Sequence, residues 1–227
     1  MIEFVSATRM KLDDFWRESA LGQSMIRLGG DERLAAAHIA YENTRGLPDV
    51  YNERLATEDG NDILAFIHDD VWIDDYFLAD RILAGLRQYD VLGVAGTPRR
   101  LPGQYGFTIM DAASVPLAKA NLSGAIAHGK TPFAPVSRLG PIPAACEFLD
   151  GVFLAVRKSA LRRLGVRFDP RFDFHFYDTD FCRAAHAAGA RLGTWPICLT
   201  HQSSGGAGYG SPGWNRNFEA YVAKWGR

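Results

Sequence analysis

The sequence predicts an α/β fold: a central, mostly parallel sheet with helices on both faces. Three observations carry that prediction. Over the first two-fifths of the chain, apolar runs with strand composition alternate with helical patterns. The run Ile63-Leu64-Ala65-Phe66-Ile67 is continuously apolar, as expected of a strand covered on both sides. That run ends abruptly in His68-Asp69-Asp70. An imidazole and two carboxylates thus fall where open α/β sheets bind ligands, beyond the carboxyl ends of their strands.

The elements follow in order. Glu3 to Ala7 reads as a strand and Leu12 to Leu28 as a helix with Phe15, Trp16, Met25 and Leu28 among its apolar positions. Leu34 to Tyr41 reads as a second strand, although its alanines also allow a helix. Leu47 to Ala56 reads as a helix whose Pro48 fits the first turn. After the strand at 63–67, Leu78, Ile82, Leu86 and Tyr89 mark one face of a helix, and Val91 to Ala95 a fourth strand. Short connections between these elements argue for right-handed crossovers. Prolines and glycines then punctuate residues 97–145, which reads as an irregular insertion walling one side of a cleft. Phe148 to Val156 is a strand interrupted by Asp150-Gly151, and Ser159 to Leu164 a short helix closed by Gly165. The segment from Phe172 to Asp180 runs into a helix with Phe181, Ala184, Ala185 and Ala188 inward, ended by Gly189. Leu192 to Thr200 is the last strand, ending at His201. A glycine-rich stretch at 203–213, expected to be flexible, precedes an amphipathic helix with Trp214, Phe218, Tyr221 and Trp225.

Length and composition narrow the function classes. At 227 residues the chain suits one sizeable domain, 1–227. A net charge of −1 gives no broad footprint for nucleic acid or a membrane surface. No apolar run approaches the ~20 residues of a membrane span, and the first residues lack the pattern of a secretory signal. Cys146, Cys182 and Cys198 show no Cys-x-x-Cys spacing and read as reduced core residues, which favours a cytoplasmic location.

Three groups of chemically capable residues fall at the ends of separate elements: Asp69 with Asp70, Asp178 with Asp180, and His201. Adjacent carboxylates repel unless something positive neutralises them, commonly a divalent cation; the alternative is a polar turn capping the next helix. Asp178 and Asp180 at a helix start interact well with its dipole and need no further purpose on local grounds. Glu42 and Asn43, at the end of the second strand, stand where a nucleoside approaches such a sheet. The glycines of 203–213 lack the lysine and spacing of a phosphate loop, leaving a lid and a plain linker as the two readings.

Phe66-Ile67-His68-Asp69-Asp70-Val71, Phe148 to Ala155, Phe174 to Cys182 and Trp195 to His201 together resemble the family 2-like glycosyltransferases of the GT-A fold. The chain is most similar to minimal bacterial members related to the streptomycin-biosynthesis type of glycosyltransferase domain. Asn43, Gly46 and Asn52 match the early glycine-asparagine helix start of that family. The resemblance implies a GT-A-like fold and metal-dependent transfer of a sugar from a nucleotide-diphosphate donor (UDP, GDP or dTDP type) to a carbohydrate or other hydroxyl acceptor, with inversion. It implies Mn²⁺ or Mg²⁺ at Asp70 and His201, imidazole favouring Mn²⁺. Asp178 would be the general base, with Asp180 second and His175 third. Ser6, Glu42, Asn43, His68, Asp69 and Asp150 would contact the donor, Asp150 alternatively the acceptor or simply the turn. The chain departs from the family in carrying His68 where Asp or Asn is common and Tyr177 where Glu is common. Its first strand ends Ser6-Ala7-Thr8-Arg9, without the usual proline-containing loop. These departures keep two other readings in view, a catalytically silent nucleotide-sugar binding module and a sugar nucleotidyltransferase.

Overall fold

Strand β3 (Ile63–Ile67) is buried at all five positions, and the rest of the architecture is arranged around it. The structure is a computed structural model that describes residues 1–58, 60–107, 120–202 and 208–226. Within it, β1 (Ile2–Ala7) lies between β2 (Ala36–Ala40) and β3, parallel to both. β11 (Phe153–Arg157) enters on the other side of β3, antiparallel to it and to β5 (Val91–Gly93). β12 (Leu192–Thr194) and β9 (Ala144–Cys146) complete a seven-stranded sheet in the order β2-β1-β3-β11-β5-β12-β9. Its hydrogen bonding is mixed: β2, β1, β3, β5 and β12 run one way, and β11 and β9 the other.

A second sheet runs β10 (Phe148–Leu149), β6 (Ala95–Thr97), β7 (Ser123–His128), β13 (Leu199–His201) and β4 (Val71–Ile73), with β8 (Val136–Arg138) paired to β7. Three runs expected to be single strands therefore divide between the sheets. Val91 to Ala95 splits at Val94, Phe148 to Val156 at Asp150–Val152, and Leu192 to Thr200 at Trp195–Cys198. The expected irregular insertion at 97–145 is corrected in the same way. It contributes β7, β8 and β9, and β7 carries His128 alongside His201; its residues 108–119 lie outside the described residues, as do 203–207 of the glycine-rich stretch.

Alternation along the strands makes two cores. Leu64, Phe66, Leu154 and Val156 face α3 (Leu47–Ala56), α5 (Lys158–Arg163), α6 (Tyr177–Ala187) and α7 (Pro212–Trp225). Ile63, Ala65, Ile67, Phe153 and Ala155 face α1 (Leu12–Glu18), α2 (Ala20–Leu28), α4 (Leu78–Gly85) and part of the second sheet. The single helix expected over 12–28 breaks at Ser19. Its backbone is extended and its hydroxyl accepts the Gly22 N–H at 2.9 Å, capping α2.

Candidate active site

The carboxyl ends of β1 and β3 meet the turn into β11 and the end of β13 at one rim. Antiparallel register sets Phe153 opposite Ile67, so the Asp150-Gly151-Val152 turn lies beside His68, whose N–H donates to the Val152 carbonyl at 3.3 Å. On the other side, β13 pairs with β4 so that His201 faces Val71, and the Gln202 N–H donates to the Asp70 carbonyl at 2.9 Å. Two consecutive pairings therefore deliver residues 68–70, 150–152 and 201 to one place.

His68, Asp70 and His201 each bring a ligand atom to within 4.8 Å of the others. His201 Nε2 stands 3.2 Å from Asp70 Oδ2. Two neighbouring ligands on a small divalent ion with bonds of about 2.1 Å are themselves about 3 Å apart, so this spacing suits a shared cation. Asp70 Oδ1 is buried without a hydrogen-bond partner among the described residues, an orphaned acceptor that a cation would satisfy. Without a cation Asp70 and His201 pair as carboxylate and imidazole, and a cation bound there would displace the proton they share. Burial raises the Asp70 carboxyl, but hydrogen bonding and charge from His201 more than offset it and hold it below its ordinary value. Burial lowers both imidazoles; Asp70 reverses this for His201, which ends raised, while His68 stays lowered. Two imidazoles and one carboxylate form a donor set that suits Mn²⁺ better than Mg²⁺.

Asp178 stands at the start of α6, where Phe176 adopts a left-handed backbone (φ 65°), a strained conformation for a bulky buried residue. Its Oδ2 accepts the Gly151 N–H at 2.9 Å and its Oδ1 the Thr179 N–H at 2.8 Å. Burial pushes its pKa up to about 6, with the nearby Asp150 charge reinforcing and the backbone donors opposing. A carboxylate tuned to that value is ionised yet basic at neutral pH. Asp150 Oδ1 accepts the Val152 N–H at 2.9 Å, so this residue shapes the turn while its charge acts on both Asp178 and His201.

A cleft of about 280 Å³ opens beside the His68–Asp70–His201 group, lined among others by Thr8, Arg9, Asn43, Arg45, Asp69 and Phe174. A smaller recess of about 100 Å³ shares Ala7, Leu47, Asp69 and Phe174 with it and reaches His68 and Asp70. Asp69 thus faces the cleft. Its carboxyl is raised by burial and by Asp70, and drawn down by a hydrogen bond from Thr8. Asn43 lies in the cleft wall and holds its turn through Nδ2 to the Arg45 carbonyl at 2.8 Å.

Other expected residues are not brought to this place. Asp180 is fully buried and faces α7, where it accepts from Lys224 Nζ at 2.9 Å and Trp225 Nε1 at 2.7 Å; it anchors a helix and does not face the rim. Ser6 is inside β1 with a buried, unpartnered hydroxyl; the next turn, Thr8 and Arg9, lines the cleft in its place. Glu42 is exposed in a left-handed turn (φ 46°) and does not line the cleft. The ring of His175 packs against Gly208 instead of the Gly151–Asp178 contact. Conversely, Thr8, Gly151, Phe174 and Tyr177 enter the site although the sequence reading assigned them no role. Gly151 had a signal: it interrupts an apolar strand, which marks a close backbone approach.

No protein-family model matches the chain, and no curated protein sequence matches it. Solved structures do. The mannosyltransferase PcManGT from Pyrobaculum calidifontis, solved with GDP-Man and Mn²⁺, superposes with a TM-score of 0.53 at 13% identity, covering 98% of this chain and 63% of that one. GalNAc-T7, solved with UDP, GalNAc and Mn²⁺, gives 0.54 at 10% identity, covering 99% of this chain and 48% of that one. The chain thus spans between about half and two-thirds of the length of these neighbours, and its fold is GT-A-like.

Proposed function

We propose that the chain is a metal-dependent glycosyltransferase unit, moving a sugar from a nucleoside-diphosphate donor to an acceptor hydroxyl with inversion, in the family 2-like branch of the GT-A fold. The observation that carries the reading is the placement of Asp178, a carboxylate tuned to about 6, beside the turn that also borders a His68–Asp70–His201 group. The two neighbours above were solved with nucleotides and Mn²⁺, which supports the same chemistry here.

A divalent cation, Mn²⁺ by preference, supplies charge that stabilises the leaving diphosphate. His68, Asp70 and His201 would hold it. Thr8, Asn43, Arg45 and Asp69 line the cleft that takes the nucleoside of a UDP, GDP or dTDP donor. Asp178 takes the proton of the acceptor hydroxyl as that oxygen attacks the anomeric carbon on the face opposite the departing diphosphate. The Gly151 and Thr179 N–H groups keep its carboxylate aimed while it is charged. Asp150 raises its basicity.

Titration calorimetry with UDP, GDP and dTDP, with and without Mn²⁺, tests the donor half; donor turnover across a panel of acceptors tests the transfer half. One nucleotide should bind only with Mn²⁺, and Asp70→Ala should abolish that dependence. Nucleotide binding with no turnover or donor hydrolysis on any acceptor would turn the reading to a binding module.

A further inference from the structure

Tyr177 opens α6, and its buried hydroxyl lies against the Gly151 carbonyl and the His68 ring. Its oxygen is 2.9 Å from the Gly151 carbonyl and 2.8 Å from His68 Nε2. A phenol has one proton to give, and a carbonyl oxygen can only accept. The Tyr177 O–H is therefore committed to Gly151, since two acceptors otherwise face each other at hydrogen-bond distance. Its oxygen is left to accept from His68, so the proton of the neutral imidazole resides on Nε2. The lone pair then belongs to Nδ1.

The surroundings hold this arrangement. Phe174 stacks on the His68 ring with centroids 6.0 Å apart and planes at 28°. The Tyr177 ring is fixed by Tyr51 and Phe168. A Cβ at Gly151 would sit 2.3 Å from Tyr177 Oη and 2.8 Å from Asp178 Cβ, so only glycine allows both side chains to close on this turn. A metal-ligating histidine usually depends on a partner at its other nitrogen to fix tautomer and ring orientation.

We infer that Tyr177 is a positioning residue: by accepting from His68 Nε2–H and donating to Gly151, it presents His68 Nδ1 as the nitrogen offered to a divalent cation. This rests on the metal-dependent reading above. Through Gly151, whose N–H holds Asp178, the same turn links the ligand that faces the cation to the base.

Long-range ¹H–¹⁵N correlation on the metal-free, ¹⁵N-labelled protein at pH 7.5 reads the tautomer directly. The chain has six histidines, and the His68 signals are those lost in His68→Gln. Wild type should show a protonated Nε2 and an unprotonated Nδ1. Tyr177→Phe keeps the ring and removes the hydroxyl; it should mix the two tautomers and weaken Mn²⁺ binding about 10–100-fold. A protonated Nδ1 in the wild type would overturn the assignment, as would a Tyr177→Phe protein with unchanged tautomer and unchanged Mn²⁺ affinity. Wild type that binds no Mn²⁺ would instead remove the metal-dependent reading, while the metal-free tautomer still decides whether Tyr177 directs His68. If Tyr177→Phe fails to fold, the wild-type spectrum alone carries that decision.

Discussion

Asp178 sits in a balance that pH can tip. Its folded-state pKa of about 6 lies above the ordinary carboxylate value, so the folded chain binds this proton more tightly than the unfolded chain does. Its contribution to stability is complete below an ordinary pKa of about 4 and is lost as pH rises through 6. In the proposed mechanism transfer follows the opposite course, because Asp178 has to be ionised to act as base: kcat/KM should rise about tenfold per pH unit below 6 and level off above it. Asp178→Asn separates the two. It should lower transfer by about 10²–10⁴-fold in donor-turnover assays. Its melting temperature at pH 7.5 should stay within roughly 2–4 °C of wild type, the effect of about 1 kcal/mol, because relief of the charge beside Asp150 is opposed by an amide NH₂ that meets a backbone N–H where a carboxylate oxygen accepted one. Gly151→Ala probes the same contact from the backbone side. Its methyl group collides with Tyr177 Oη and Asp178 Cβ, so transfer should drop at least a hundredfold, a floor of about 10² set by loss of the base, and Mn²⁺ affinity should fall with it.

Helix α6 shows what a sequence pattern tells and what it hides. Residues 178 and 180 are two apart, about 200° around a helix, and therefore cannot face the same cleft. That spacing was available in the sequence, and the structure follows it: Asp178 turns to Gly151, while Asp180 turns to Lys224 and Trp225 of α7. Asp180→Ala should destabilise the fold by about 3 kcal/mol, because Lys224 and Trp225 lose a buried partner. That corresponds to a melting temperature lower by roughly 6–12 °C. Transfer assayed well below that temperature should stay within a few-fold of wild type, the reverse of the Asp178→Asn result. The strands were legible in part. Val91 to Ala95 is a continuous apolar run because it is buried in both sheets, and nothing in such a run marks the residue at which it leaves one sheet for the other. In 97–145 the prolines and glycines obscured β7, in which Gly124, Ala125 and Ala127 have little strand preference and Ile126 alone has a strong one. What fixes β7 is its pairing with β13 and β6, both distant in sequence.

Across the whole molecule, the site is assembled from residues as distant in sequence as Thr8 and His201, and no one element holds it. β1 and β3 bring the cleft and the acidic turn, β11 brings Gly151, and β13 brings His201 from the second sheet. A ligand spanning cleft and cation group touches both sheets at their common rim, and such a ligand binds the folded chain alone. Thermal stability should therefore report it. With Mn²⁺ present, the matching nucleoside diphosphate at 100 times its Kd should add about 2.7 kcal/mol. For a chain of this size that is a rise of roughly 5–10 °C in melting temperature. The rise should grow with the logarithm of nucleotide excess and should differ among UDP, GDP and dTDP, because the base enters a walled cleft of about 280 Å³. Asp70→Ala should remove the Mn²⁺-dependent part of the shift and lower the melting point of the free protein, since His201 loses the carboxylate it pairs with. Melting curves that ignore every nucleotide, with and without Mn²⁺, would show that the rim gathers these side chains for some purpose other than holding a nucleotide-sugar.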